Sequence, residues 1–360
     1  MKHDIKAAEA GKRDMDNGFF RVSAVVPHVT VADPAANARD IISMFGILEE
    51  EGVELAVFPE LCVTGYTCGD LFHSSLLLDS AENALRQIAE ATAGLHLTAV
   101  VGCPLRVGSG LYNCGVAVGG GRVLAVVPKT YLPNYNEFYE KRLWASGAGV
   151  EGELFGAPFG CRTLTEVSGV KVGIEICEDL WTAVPPSSHA ALAGAQVIVN
   201  LSASDDIIGK YAYLRSLIAQ QSARCLCGYV YASAGFGESS TDLVFDGKAI
   251  VAENGAILRE GERWQGMPHH VTCDLDICAI DRDRMHIGSF NDCECVEEGA
   301  KGAYRVVASP VPRAGCRDVL LREVNPRPFV PADDRDIDER CEEIVNIQVA
   351  GLARRLEATR

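Results

Sequence analysis

An α/β fold with a mixed sheet, or two packed sheets, is predicted by three observations. Short apolar runs rich in Val, Ile and aromatic residues recur along the chain, helical patterns lie between several of them, and two of the runs follow each other with only glycines between. Strand–helix–strand alternation favours parallel pairs and directly successive strands favour antiparallel ones, so both kinds of pairing are expected. With 360 residues, 48% of them hydrophobic, the chain can bury a large core in one big domain or two modest ones.

The first run, RVSAVV from Arg21, leads into DPAANARDIISMFGILEEEG. Here Asp33 is placed as an N-cap and Pro34 at the first helical position, where its missing N–H costs nothing; Ile41, Ile42, Phe45 and Leu48 share one face. ELAVF from Glu54 is the next strand, and a second helix is expected from about Asp79 to Ala93 with Leu85, Ile88 and Ala89 inward. LTAVVG from Leu97, YNCGVAV from Tyr112 and RVLAVV from Arg122 follow, with Gly119 to Gly121 as the hairpin turn of the last two. VKVGIEI from Val170 and QVIVNLS from Gln196 precede a third helix from about Lys210 to Cys225, and GYVYASA from Gly228 and HVTCDLD from His270 complete the strands.

Beyond about Asp281 the chain becomes charged and then Pro-rich (DRDRMHIGSFNDCECVEEGAKG, NPRPFVPADDRD), which reads as linker. A helical period resumes from about Asp336, with Ile337, Cys341, Ile344, Leu352 and Leu356 near one stripe. The expected organisation is a polar leader over 1–18, a catalytic domain over 19–280, and a linker with a helical extension over 281–360.

Composition narrows the function. A formal charge of −16 and the lack of a Lys/Arg block argue against nucleic acid. No run is long enough to span a membrane and the first residues lack the apolar core of a signal peptide, which places the protein in the cytoplasm. The 14 cysteines sit mostly inside apolar runs and are expected as reduced thiols. The close pairs Cys225/Cys227 and Cys293/Cys295 have one intervening residue, a poor match to zinc-ligand spacing, so no metal is expected.

Three strand ends carry the chemistry. ELAVFPE ends in Glu60, RVLAVVPK in Lys129 and VGIEIC in Cys177, each with one reactive group just past an apolar strand, where α/β folds assemble sites. Pro59 and Pro128 stop the first two ladders by removing a donor. Period two puts Val172, Ile174 and Ile176 on one face of the third strand, and Lys171, Gly173, Glu175 and Cys177 on the other. Singly, each group has a bland explanation: a buried small hydrophobe, a solvated acid, a solvated base. Together they supply a nucleophile, a proton acceptor and a cation for a developing oxyanion, the set that acyl transfer from an amide requires. The acids Glu178 and Asp179, next to Cys177, should discourage a thiolate.

These segments resemble the nitrilase superfamily of carbon–nitrogen hydrolases, and most closely the glutaminase domain of bacterial glutamine-dependent NAD synthetases, from about Phe19 onward. FPELCVTGY is similar to the segment of the family's general base, VVPKTYLPNYNEFYEKR to that of its lysine and EICEDLW to that of its nucleophile. The narrower likeness rests on YLPNYNEFYEKR, on SARCLCGYVYASAGFGESSTDLVFDG, and on the segment from Arg327 to Leu356. The resemblance implies a four-layer αββα sandwich with a C-terminal linker and helix, a homo-oligomer, and hydrolysis of L-glutamine without a cofactor. By the same likeness Cys177 attacks the amide, Glu60 moves protons, Lys129 and the Glu178 N–H hold the oxyanion, and Glu140 orients the lysine. Tyr66, Tyr135, Glu178, Ser204 and Lys210 would contact substrate, Lys210 standing where some relatives carry arginine. No SGGxDS-type loop for ATP pyrophosphate occurs. ATP, Mg and deamido-NAD are therefore expected only on an ammonia-using synthetase domain absent from this chain, a part of a longer enzyme or a separate subunit. Two rivals are a stand-alone amidase for another small amide or carbamoyl substrate, and an idle regulatory module.

Overall fold

In the computed structural model the described residues are 18–296, 303–313, 319–327, 330 and 334–359; residues 1–17 of the expected leader lie outside them. Contacts divide the chain into two units, Met1–Arg322 and Glu323–Arg360.

The larger unit holds two mixed sheets. The first comprises β1 (Phe19–Val26), β2 (Leu55–Val57), β3 (Thr98–Val107), β4 (Gly110–Gly119), β5 (Arg122–Pro128), β6 (Glu151–Leu154), β7 (Ala157–Gly160) and β14 (His269–Asp276), in the order β14-β1-β2-β3-β4-β5-β7-β6. The second comprises β8 (Thr163–Val167), β9 (Val170–Ile176), β10 (Val197–Ser202), β11 (Gly228–Ser233), β12 (Ala249–Glu253), β13 (Ala256–Glu260) and β15 (Arg305–Ala308), in the order β13-β12-β11-β10-β9-β8-β15.

Strand alternation makes the layers. Val22, Ala24, Val57, Val100 and Val127 of the first sheet meet Val172, Ile174, Val199, Leu201 and Val230 of the second in a buried seam between the sheets. On the outer face of the first sheet, Val25, Val101 and Val116 are covered by Ile41, Phe45 and Leu48 of α1 (Pro34–Glu50) and Leu85 and Ile88 of α2 (Ser75–Ala91). On the outer face of the second, Ile198, Tyr229 and Ile250 are covered by Ala190 and Leu192 of α3 (Pro186–Leu192) and Leu214 and Ile218 of α4 (Lys210–Arg224). The order of layers is helix, sheet, sheet, helix.

Local chemistry fixes the element ends. Asp33 caps α1, accepting from the Ala36 N–H at 3.0 Å. Gly120 and Gly121, at φ 59° and 79°, turn β4 into β5 as the hairpin expected from their sequence. The second helix starts at Ser75 rather than near Asp79, since Leu77 and Leu78 already pack inward.

Within the segment read as linker from Asp281, the described residues include further helix and strand. Helices α5 (Ile277–His286) and α6 (Gly288–Val296) occupy its start, and β15 extends the second sheet as a parallel partner of β8. Arg322 then reaches Glu253 at 2.8 Å. Charged side chains on the exposed face of α5 hid that helix. The smaller unit contains α7 (Asp334–Ala358), the helix read from the period beginning near Asp336.

Candidate active site

Glu60 follows β2 through Pro59 and is buried. Leu61 after it takes φ 52°, turning the chain sharply out of the strand. The turn presses on β3 at Gly102, where a Cβ would lie 2.2 Å from the Leu61 nitrogen, so a side chain there would displace the Glu60 backbone. The turn is also pinned to the second sheet: the Glu60 N–H donates to the Ser202 carbonyl at 3.2 Å, and Glu60 Oε2 accepts from the Ala203 N–H at 2.8 Å. Its other oxygen accepts from Asn113 Nδ2 at 2.6 Å and Lys129 Nζ at 2.7 Å.

Lys129 continues β5 past Pro128, with its N–H on the Asn113 carbonyl at 2.8 Å. Its side chain is fully buried, and Nζ donates to Glu140 Oε1 at 2.8 Å as well as to Glu60. Burial alone would lower its pKa, but the charges of Glu140 and Glu60 outweigh it and hold the ammonium well above the ordinary range. Glu140, on the short 3₁₀ turn Glu140–Arg142, also accepts from Tyr66 Oη at 3.0 Å. Burial pushes its carboxyl up to about 7, Lys129 pulling the other way and Glu60 adding to the push. Glu140 Oε2 is buried without a hydrogen-bond partner.

Cys177 starts a 3₁₀ turn directly after β9 and takes φ 43°. The alternation expected to place it with Gly173 and Glu175 therefore ends at Ile176. Glu175 does point to the α3 side, accepting from the Ser187 N–H at 2.9 Å, whereas Cys177 lies in the fields of Glu60, Lys129 and Glu140. The Cys177 N–H donates to Asn200 Oδ1 on neighbouring β10 at 3.2 Å, and Leu201 of β10 is paired with Ile176. Burial, and next Glu60, push the thiol far above its usual range, with Lys129 opposing. The nucleophile candidate is thus a thiol at rest, with a carboxylate base and a cation in its surroundings.

The two acids beside it diverge. Asp179 turns back into the fold, accepting from the Ile176 N–H at 3.0 Å and the Tyr131 N–H at 2.8 Å, which ties the cysteine turn to the lysine loop. Glu178 is half-buried and accepts from the exposed Tyr135 hydroxyl at 2.9 Å. Ser204 is buried with its N–H on Ser233 Oγ at 3.2 Å, and Lys210 is already paired with Asp205. Lys210 also lies 5.5 Å from the Phe138 ring and 5.7 Å from the Trp181 ring. Tyr66, Glu140, Phe138, Trp144, Ser239 and Leu243 are among the residues lining a cavity of about 250 Å³ beside this centre. Sequence reasoning missed Asn113, Asn200, Asp205 and Glu238. The first two are polar residues inside apolar strands, a legible signal; Glu238 lies in a polar loop and gave none.

The geometry meets known proteins at this point. The carbon-nitrogen hydrolase family model matches residues 21–285. The chain belongs to the carbon–nitrogen hydrolase family. It is 43% identical over 351 residues to the glutamine-dependent NAD(+) synthetase of Mycobacterium tuberculosis (strain ATCC 25618 / H37Rv), covering 95% of this chain and 51% of that protein. The synthetase of Mycobacterium leprae is 41% identical over 352 residues with the same shares, 95% and 51%. The chain spans about half the length of these relatives. Among solved structures, a glutamine-dependent NAD(+) synthetase from Cytophaga hutchinsonii superposes with TM-score 0.65 at 28% identity, over 71% of this chain and 43% of that one. An amidase of the nitrilase superfamily from Nesterenkonia AN1, a C145A mutant, does so with TM-score 0.60 at 20% identity, over 76% of this chain and 96% of that one, a likeness of fold. This chain is therefore a carbon–nitrogen hydrolase family member similar to about half of those synthetases.

Proposed function

We propose that this hydrolase releases ammonia from L-glutamine through a thioester on Cys177, for use by the synthetase domain of a glutamine-dependent NAD synthetase. The observation that carries the reading is buried Lys129 held between Glu60 and Glu140, in the field of the buried Cys177 thiol. Glu60 takes the thiol proton as sulfur attacks the amide carbon, and Lys129 meets the oxyanion together with the Glu178 N–H. Collapse of the tetrahedral species breaks the C–N bond, and Glu60 hands the proton to leaving ammonia. Water, deprotonated by Glu60, then attacks the thioester carbon; the C–S bond breaks to release glutamate, and Glu60 returns the proton to the Cys177 sulfur. Glu140 keeps the lysine in place. Tyr135, Glu178, Ser204 and Lys210 would supply the partners that an amino-acid substrate requires, with Tyr66 near the entrance.

We infer that an ammonia-using domain, with its ATP, Mg and deamido-NAD, would belong to the half of those relatives that this chain does not span; a homo-oligomer in the cytoplasm is the accompanying expectation. The test is ammonia release from glutamine against a panel of small amides and carbamoyl compounds, with labelling of Cys177 by a glutamine-like diazoketone. Glutamine turnover and labelling blocked by glutamine are expected. Turnover of another amide alone would make it a stand-alone amidase, and no selective labelling would make it an idle module.

A further inference from the structure

Glu238 lies in the loop between β11 and β12, half-covered, and accepts three hydrogen bonds from one place. Its Oε1 takes the Tyr66 N–H at 2.7 Å; its Oε2 takes the Thr67 N–H at 3.0 Å and the Thr67 hydroxyl at 2.6 Å. The Ser239 N–H donates back to Thr67 Oγ1 at 2.8 Å. These residues are 172 apart in sequence, so the bonds join two distant loops. The approach is close: a Cβ on Gly65, at φ 85°, would lie 3.4 Å from Glu238 Oε2. Farther along the same loop, Phe245 packs edge-on against the Tyr66 ring at 6.1 Å.

Tyr66 is thus gripped at its backbone by Glu238 and at its ring by Phe245. Its free end, the hydroxyl, donates to Glu140 Oε1, which also accepts from Lys129, which donates to Glu60. A displaced Tyr66 would leave Glu140 with a single donor. We propose that Glu238 is a positioning residue of this site: by clamping the Tyr66 turn it fixes the chain Tyr66–Glu140–Lys129–Glu60 and closes one wall of the adjoining cavity. The wall follows from the cavity lining, where Tyr66 and Thr67 from one loop face Ser239, Thr241 and Leu243 from the other. This inference rests on the proposed amide chemistry of Cys177.

A carboxylate is required because all the groups facing it are donors. Glutamine would set an N–H₂ against either the Tyr66 N–H or the Thr67 pair, losing at least one bond and opposing two donors. The test is a double-mutant cycle in the full-length protein, reading kcat and KM for glutamine in wild type, Glu238→Gln, Tyr66→Phe and the double variant. Glu238→Gln should lower kcat about 10- to 100-fold in the wild-type background but less than about 3-fold in Tyr66→Phe, because the hydroxyl through which it acts is already gone. Glu238→Asp, which keeps an acceptor-only group, and Thr67→Ser, which keeps the hydroxyl, should recover most of the rate.

Equal effects of Glu238→Gln in both backgrounds, or an unchanged kcat in a folded variant, would overturn the proposal. So would loss in Glu238→Asp as large as in Glu238→Gln with Thr67→Ser unaffected. If the wild type turns over no glutamine, that failure belongs to the glutaminase reading. The cycle is then read from the acylation rate of Cys177 by p-nitrophenyl acetate, an activated ester that needs no amino-acid site.

Discussion

Among the described residues, Lys129 and Lys248 are each fully buried between a pair of carboxylates, and the two clusters differ in how the charges are matched. Lys129 bonds Glu60 at 2.7 Å and Glu140 at 2.8 Å; Lys248 bonds Asp246 at 2.6 Å and Asp206 at 2.9 Å. Around Lys248 the set is closed: Arg263 bonds both aspartates, so two acids face two bases, and the ammonium also reaches the Ser204 carbonyl at 3.3 Å. Around Lys129 two acids share one base, and Glu140 Oε2 is left without a partner. The first cluster fastens the chain after β10 to the loop before β12. The second sets two carboxyl groups on one ammonium and keeps an unused acceptor, in the field of a buried thiol. What marks a reactive site is therefore incomplete compensation among charges, not burial or ion pairing alone.

The largest effect expected from this contrast is at Lys129. Lys129→Met should lower kcat by about 10³-fold or more, since in the proposed mechanism the oxyanion would lose its cation and Glu60 and Glu140 would lose their shared donor. Steady-state ammonia release checks it, and a loss below about 10-fold would remove Lys129 from the chemistry. Lys248→Met should instead cost about 3–5 kcal/mol of stability by leaving two buried aspartates with Arg263 as their one base, read from urea denaturation. While folded, that variant should keep the Cys177 acylation rate within a few-fold; a dead but equally stable variant would erase the distinction between the clusters.

Two pH experiments probe the open cluster more gently. The Cys177 thiol is held above its ordinary range by burial and by Glu60, so its neutral form persists to higher pH than that of a free cysteine. Alkylation by iodoacetamide, which needs a thiolate, should stay slower than that of glutathione through pH 9. An equal or faster rate would mean an ion pair at rest. The smallest effect is on stability. Glu140 titrates near 7 when folded against 4.5 as its ordinary value, so between these the folded state binds the extra proton and the contribution of this group falls as pH rises. Thermal midpoints should show wild type losing ground to Glu140→Gln from pH 5 to pH 8; a gap that is constant or moves the other way contradicts the shift.

Legibility followed locality. The helix at Pro34 was readable because cap, proline and apolar stripe lie within one continuous segment. Strands β6, β7, β8, β12 and β13 escaped: each is four or five residues long, too short for a clear period, and none ends in a proline and a charged residue as the still shorter β2 region does at Pro59 and Glu60. Strand β15 escaped because its sheet partner, β8, lies far back in the sequence. At the site, Glu60, Lys129 and Cys177 stood out as polar groups terminating apolar strands. Glu238 did not, since a carboxylate in a polar loop looks the same whether it is solvated or bonded to three donors.

The sequence by itself determined the alternation of strands and helices, the three strand ends, and the reactive group on each, because side-chain period and proline chemistry act between neighbours along the chain. Tertiary structure decided what those groups became. It turned Cys177 out of its strand's alternation at φ 43° and sent Asp179 back to the Ile176 and Tyr131 N–H groups while Glu178 met Tyr135. It also left Lys129 one base between two acids while giving Lys248 a second base. The reason is physical: the charge state of a buried group depends on which distant segments exclude water from it and which partners they bring, and neither is a property of adjacent residues.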